Sequence, residues 1–272
     1  MADIKYTKDL LLTAIKASVT AGKEIMKVYE SNDFHTSLKE DNSPLTQADK
    51  NAHSSIMQIL QTTNLPVLSE EGSEISYEER KDWELFWMVD PLDGTKEFIK
   101  KNGDFTVNIA LIENQKPIVG VIFIPVTGIL YFAETKLGTF KTDYSHWEGL
   151  EIENFDFLTD ISEKLPTDKT EIYTIAGSRS HMNDETKAYF EKLEQEHGKT
   201  EILSRGSSLK LCMVAEGKAD IYPRFGPTME WDTAAGHAIV KASGGTLTKP
   251  DGTPLLYNKK NLLNPFFIVK RM

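Results

Sequence analysis

Trp87-Met88-Val89-Asp90-Pro91-Leu92-Asp93-Gly94-Thr95-Lys96-Glu97-Phe98 is the segment on which the fold and the chemistry turn. An apolar strand end delivers Asp90, Pro91 fixes φ and removes a backbone donor, and Gly94 lets the chain turn sharply into a helix. Two carboxylates are thereby presented on one stiff turn. Upstream, Val67-Leu68-Ser69-Glu70-Glu71-Gly72 is a second apolar run that ends in acids. Far downstream, Glu230-Trp231-Asp232-Thr233-Ala234-Ala235-Gly236 sets an aspartate at the start of a helix. Taken singly, an aspartate before a helix reads as a cap, Asp-Gly as a turn, and Glu70-Glu71 as a solvated edge. Taken together they read otherwise, because each adjoins a strongly apolar run that holds it near a core.

If Glu70, Asp90, Asp93 and Asp232 converge, each like-charged pair at ~4 Å costs on the order of 4 kcal/mol at an effective dielectric of about 20. Such a cluster either protonates or binds cations. Two divalent ions would neutralise it, and all-oxygen ligands select hard metals such as Mg2+ over zinc.

Outward from this centre, Leu11, Leu12, Ile15, Val19, Ile25, Met26 and Tyr29 predict an amphipathic helix over about residues 7–29. A second helix begins after Ser43-Pro44-Leu45, with Thr46 as its cap, Asp49 placed as in a capping box, and Ala52, Ile56, Ile59 and Leu60 as its stripe. Residues 105–112, 118–124 and 129–133 are strand-length runs with short links, which suit an antiparallel meander. After a polar stretch, strand and helix alternate: strands at 172–176, 201–204 and 219–223, and helices at 183–196, 208–216 and 233–242. That grammar argues for a mostly parallel sheet. The chain is expected to divide near residue 150 into an α+β half (1–150) with most of the acids and an α/β half (151–272).

The 272 residues carry 31 basic and 41 acidic side chains, a formal charge of -10, which disfavours long nucleic acids as partners. The one cysteine, Cys212, excludes an internal disulfide and a cysteine-based zinc site; among Leu211, Met213 and Val214 it reads as a small buried hydrophobe. The six histidines show no His-x-x-x-His spacing, and no Gly-x-x-x-x-Gly-Lys loop is present. No signal-peptide core or uninterrupted apolar span is recognised, so a cytoplasmic protein is expected.

The residues also carry a resemblance. Glu70-Glu71, Asp90-Pro91-Leu92-Asp93-Gly94-Thr95 and Trp231-Asp232-Thr233-Ala234-Ala235-Gly236 resemble the signatures of the inositol monophosphatase superfamily of Mg2+-dependent, lithium-sensitive phosphatases. Within it, residues 90–108, Gly206-Ser207-Ser208-Leu209-Lys210 and Tyr222-Pro223-Arg224-Phe225-Gly226-Pro227-Thr228 are similar to the CysQ-type 3'(2'),5'-bisphosphate nucleotidases. The resemblance implies a layered αβαβα sandwich of the inositol monophosphatase/fructose-1,6-bisphosphatase type. It implies two Mg2+ ions, with room for a looser third. Glu70, Asp90 and the Leu92 carbonyl would ligate the first, and Asp90, Asp93 and Asp232 the second. Thr95, partnered by Asp49, and Glu70 would serve an in-line attack by a metal-activated water, with Glu71 behind Glu70. The capping explanation of Asp49 stands beside this one.

By the same resemblance the phosphate meets Gly94, Thr95 and Asp232, while His181, Ser207, Lys210 and Arg224 choose the substrate. A cation beside a second phosphate is what a bisphosphate needs and a monophosphorylated polyol does not. His181 also reads as an exposed loop histidine, and Ser207-Ser208 as a cap. The expected reaction removes the 3'-phosphate of adenosine 3',5'-bisphosphate, with 3'-phosphoadenylyl sulfate as a further substrate. The alternatives are a phosphatase of inositol or sugar phosphates in the same superfamily, and a non-catalytic module that senses nucleotide or metal. Some relatives are described as touching the inner face of the cell membrane, although no basic amphipathic helix suggests it here. Glu230 is an additional acid; in an extended segment it would share a side with Asp232 and tune the metal site, or else face solvent.

Overall fold

The computed structural model describes residues 3–31, 37–38, 44–150, 154–177 and 183–272. Helix α1 (Ile4–Ser31) is followed by the antiparallel pair β1 (Ser37–Leu38) and β2 (Pro44–Leu45), then by helix α2 (Gln47–Leu60). Both helices fall where the apolar periodicity predicts them. Leu11, Ile15 and Ile25 of α1 and Ala52 and Ile56 of α2 are fully buried in one cluster with Trp87, Val89, Val107 and Ile109.

Those last four side chains come from one face of a seven-stranded sheet. Its strands are β3 (Val67–Ser69), β4 (Leu85–Asp93), β5 (Thr106–Glu113), β6 (Lys116–Ile124), β7 (Ile129–Glu134), β8 (Gly138–Asp143) and β9 (Glu163–Leu165), hydrogen-bonded in sequence order. Every pairing is antiparallel except β3 with β4, whose connection carries the short helix α3 (Tyr77–Arg80). Helix α4 (Thr95–Ile99) links β4 to β5, and α5 (Phe155–Asp160) precedes β9. The meander read from the sequence is therefore present, extended by β8 and β9 from a stretch whose polarity hid them.

A second sheet holds β10 (Tyr173–Gly177), β11 (Thr200–Ser204), β12 (Ile221–Arg224), β13 (Thr246–Thr248) and β14 (Phe267–Lys270), in the order β11-β10-β12-β14-β13. Its pairings β10–β11 and β10–β12 are parallel, as the alternating pattern implies. β14 returns antiparallel between β12 and β13, so the sheet is mixed. Helices α6 (Asp184–His197), α7 (Leu209–Glu216) and α8 (Glu230–Ala242) connect these strands.

Helices α7 and α8 lie between the two sheets. Phe86, Met88 and Ile122 from the first sheet share a cluster with Leu211, Ile239 and Val240 of the helices and Tyr222 and Val269 of the second sheet. Gly120 of β6 is where the contact is tightest: a Cβ there would lie 2.3 Å from the Ala235 carbonyl oxygen of α8. Phe190 and Leu193 of α6 cover the far face of the second sheet against Ile175, Ile221 and Ile268. The result is five layers, αβαβα, each apolar face buried by the next. Among the described residues no helix is long and apolar enough to cross a membrane.

Candidate active site

The site forms where the carboxyl end of β4 meets the first turn of α8. β4 is interrupted between Asp90, opposite Asn108, and Asp93, opposite Thr106. Pro91 lies in this gap and has no N–H to give the ladder. The Leu92 N–H turns inward instead and donates to Asp90 Oδ1 at 3.1 Å. Gly94 then adopts φ +93, and a Cβ there would lie 3.1 Å from the Asp104 carbonyl oxygen. Only glycine satisfies both the left-handed backbone and that close approach.

Glu70 follows β3 and donates its backbone N–H to the Val89 carbonyl at 3.1 Å, which sets it alongside Asp90. Asp90 is 1 % exposed. Burial first, then the neighbouring Glu70, Asp93 and Asp232 charges, hold its carboxyl well above the usual range, and its side chain is hydrogen-bonded to Glu70. Asp232, in the first turn of α8, is likewise pushed well up, by burial and then by Asp93. Its Oδ2 accepts the Met229 N–H at 2.9 Å and so caps the helix. The four acids that the sequence puts together are neighbours, and their mutual repulsion is the physical signature of a site that takes up either protons or cations.

This donor set fits Mg2+: every side chain is a carboxylate, the Leu92 carbonyl lies on the same turn, and the buried Asp90 has three acids rather than a lysine or arginine as its main electrostatic neighbours. Among the described residues the acids do not stand as a closed three-ligand cage. Oδ2 of Asp93 is turned to Ser207 and Ser208, and Oδ2 of Asp232 to its cap.

Asp49 uses its two oxygens for different partners. Oδ2 accepts the Thr46 N–H at 2.7 Å and the Thr46 hydroxyl at 2.6 Å, completing a capping box at α2. Oδ1 accepts the Thr95 hydroxyl at 3.2 Å, and the same hydroxyl oxygen lies 3.4 Å from the Leu92 carbonyl on the Asp90–Asp93 turn.

A cleft of about 720 Å3 opens from Asp93 and Asp232 toward the second sheet, with Ser207, Lys210 and Arg224 in its wall. Lys210 is 6 % exposed; its Nζ donates to the carbonyls of Ser207 at 2.9 Å and Arg205 at 3.0 Å. Burial lowers its pKa to about 8, against the attraction of Asp93. Arg224 donates to the Pro227 carbonyl at 3.1 Å, while among the described residues its buried Nε–H has no acceptor. His181 lies outside the described residues.

Two outcomes differ from the sequence reading. Glu230 neither joins the metal site nor faces solvent. The segment is helical, so residues two apart point to different sides. Its fully buried carboxylate instead holds Lys259 Nζ at 2.6 Å and the N–H groups of Asn258 and Lys259 at 2.6 and 3.0 Å. Sequence reasoning also passed over the part played by Thr106, Asn108 and Ser208, which surround Asp93. The available signal was two polar side chains, Thr106 and Asn108, on one face of an otherwise apolar strand. Cys212 is buried, and burial pushes its thiol well up, in keeping with its reading as a small hydrophobe.

Fold and site together define a class: layered αβαβα proteins with an acid-lined cleft where the end of β4 meets the helices packed between the two sheets. The chain belongs to the inositol monophosphatase family, whose model matches residues 7–266. It is 45% identical over 254 residues to the 3'(2'),5'-bisphosphate nucleotidase CysQ of Shigella flexneri, covering 92% of this chain and 94% of that protein. The CysQ of Escherichia coli K12 is 44% identical over 253 residues, with the same coverage. Among solved structures, CysQ from Bacteroides thetaiotaomicron, described as a bacterial member of the inositol monophosphatase family, superposes with a TM-score of 0.88 at 48% identity, over 98% of each chain.

Proposed function

We propose that the chain is a Mg2+-dependent 3'(2'),5'-bisphosphate nucleotidase that hydrolyses the 3'-phosphate of adenosine 3',5'-bisphosphate to AMP and phosphate. The observation that carries this reading is the placement of two buried or half-buried cations, Lys210 and Arg224, in the wall of the cleft whose other end is the acid cluster. A bisphosphate needs both ends, one for the phosphate that leaves and one for the phosphate that stays. The names of the bacterial relatives support the same substrate.

Glu70, Asp90, Asp93, Asp232 and the Leu92 carbonyl would hold two Mg2+ ions. Bound there, the ions supply positive charge that stabilises the phosphate oxygens and lowers the pKa of a water. The Thr95 hydroxyl commits its proton to Asp49 Oδ1 and keeps its lone pairs to orient the attacking water. Glu70 would accept that water's proton. Gly94 and Thr95 line the approach of the reacting phosphate, and Ser207, Lys210, Arg224 and His181 are assigned to the remainder of the substrate. In this reading residues 1–150 supply the acids of β3 and β4, and residues 151–272 supply Asp232 and the specificity residues. A cytoplasmic location and a small-molecule partner go with it.

Phosphate release should be compared on adenosine 3',5'-bisphosphate, inositol 1-phosphate, inositol 1,4-bisphosphate and fructose 1,6-bisphosphate, with Mg2+, with chelator and with added Li+. The proposal expects the first substrate to be preferred and chelation to abolish release. Preference for an inositol phosphate would overturn the substrate, and release in chelator would overturn the metal requirement.

A further inference from the structure

Asp93 belongs to the first sheet, yet one of its oxygens is held by the other half of the molecule. Its Oδ2 accepts the hydroxyl of Ser207 at 2.5 Å and that of Ser208 at 2.7 Å, with Asn108 Nδ2 at 3.4 Å. The Ser208 hydroxyl also lies 2.9 Å from the main-chain oxygen of Asp232. A single side chain thus spans the two acids that the proposed function assigns to one cation, one from the end of β4 and one from the start of α8.

Donor and acceptor chemistry gives this network a direction. Asn108 presents Nδ2 to the Ser208 oxygen at 2.8 Å, and its Oδ1 takes the Thr106 hydroxyl at 3.0 Å. The amide is oriented this way because a carboxylate beside it can only accept. With Asn108 donating into the Ser208 oxygen, the hydroxyl proton of Ser208 is directed outward to Asp93.

The same hydroxyl is not used for capping: Ser208 stands at the N-terminus of α7 and makes no side-chain cap there. Thr106, Asn108 and Ser208 are 0 %, 1 % and 3 % exposed, so their polar atoms have given up water for one another and for Asp93. Ser207 reaches Asp93 from a backbone with φ +50, a strained conformation for a residue with a side chain.

We propose that Ser208 and Asn108 are positioning residues for the cation shared by Asp93 and Asp232. They occupy Oδ2 of Asp93 and fix the rotation of its carboxylate, with the Ser208 oxygen lying beside the first turn of α8. Outer groups of this kind orient the ligands that touch a metal, and losing one weakens metal binding about 10- to 100-fold. The inference rests on the assignment of Asp93 and Asp232 as ligands, and its test separates the two.

Binding of Mn2+ alone to the purified full chain, followed by the loss of the free-ion electron paramagnetic resonance signal, gives the affinity without any turnover. Asp93→Asn should remove a site. Ser208→Ala and Asn108→Ala should retain the number of sites but weaken one of them about 10- to 100-fold, and Ser208→Thr, which restores a hydroxyl, should recover most of the loss. Unchanged binding by Asp93→Asn would overturn the ligand assignment itself. Loss of a site in Asp93→Asn, with Ser208→Ala and Asn108→Ala both within twofold of the parent, would overturn the positioning role alone. Failure of both alanine variants to fold would overturn it too, by showing that the network serves stability.

Discussion

Thr95 donates its hydroxyl to Oδ1 of Asp49 at 3.2 Å, while Oδ2 of the same carboxylate caps α2 through Thr46. One side chain therefore anchors a helix with one oxygen and orients a hydroxyl at the acid cluster with the other. Asp49→Asn replaces one oxygen with a donor and cannot serve both partners. It should lower kcat about 10²- to 10⁴-fold, the usual span for a misplaced proton-handling group. Loss of the cap should cost about 1 kcal/mol, read from urea unfolding. A variant with normal kcat would mean that the contact serves the helix only.

Lys210 carries a second consequence. Burial brings its pKa down to about 8, with Asp93, Glu97 and Asp104 favouring the charge and Arg224 opposing it. The ammonium is present below that value and is lost as pH rises through it. kcat/KM for adenosine 3',5'-bisphosphate should therefore decline above about pH 8, since that profile reports the free protein. Inositol 1-phosphate, with no second phosphate for Lys210 to meet, should lack this limb, and Lys210→Gln should remove it from the bisphosphate profile. A profile unchanged by the substitution would assign the limb to another group.

His237 governs acid stability in a way that is independent of catalysis. It is buried on α8 with Nδ1 3.0 Å from the Tyr257 hydroxyl, and burial, then Lys241, lowers its pKa to about 3. A histidine near 6.5 when unfolded binds a proton in the unfolded state first, so its contribution is complete above that value and is lost as pH falls from about 6.5 toward 3. At roughly 1.4 kcal/mol per unit, about 2 kcal/mol should disappear between pH 7 and pH 5. Equilibrium unfolding of the parent and of His237→Gln at both pH values checks this: the variant should have the shallower dependence.

Glu230 and Lys259 form an ion pair of 2.6 Å in which the carboxylate is fully buried and the lysine partly so. Removing the acid leaves two backbone N–H groups without their acceptor and the lysine with no counter-charge, only the Leu256 carbonyl and Asn264 Oδ1. Glu230→Ala should destabilise by about 3–5 kcal/mol, as breaking buried pairs does. Thermal melts of the variant and of the paired substitution with Lys259→Met measure the penalty, and the second change should recover part of it. Equal melting temperatures for parent and Glu230→Ala would contradict the role.

Legibility in the sequence followed how local each cause was. Asp90, Asp93 and Gly94 could be read because a proline, a glycine and an apolar run fix that turn within a dozen residues. The meander was readable because its links are short. β13 and β14 were not, since β14 is a brief apolar run near the end of the chain whose place between β12 and β13 depends on partners far away in sequence. Glu230 misled for a related reason: its orientation depends on α8 beginning three residues earlier than the apolar pattern announces. Of the polar collar of Asp93 only Thr106 and Asn108 left a mark in the pattern of β5; Ser208 left none, because it reaches Asp93 only after α7 has been packed between the two sheets.

On the proposed reading, Lys210 and Arg224 make the cleft a bisphosphate site. The most direct measurement compares kcat/KM of the parent and of the Lys210→Gln/Arg224→Gln double variant on adenosine 3',5'-bisphosphate and on inositol 1-phosphate at saturating Mg2+. Two charge-assisted contacts, at about 1.5–3 kcal/mol each, predict a loss of about 10²-fold or more on the bisphosphate. The change on the monophosphate should stay within a few fold. Equal losses on both substrates, or no loss on the first, would contradict the assignment.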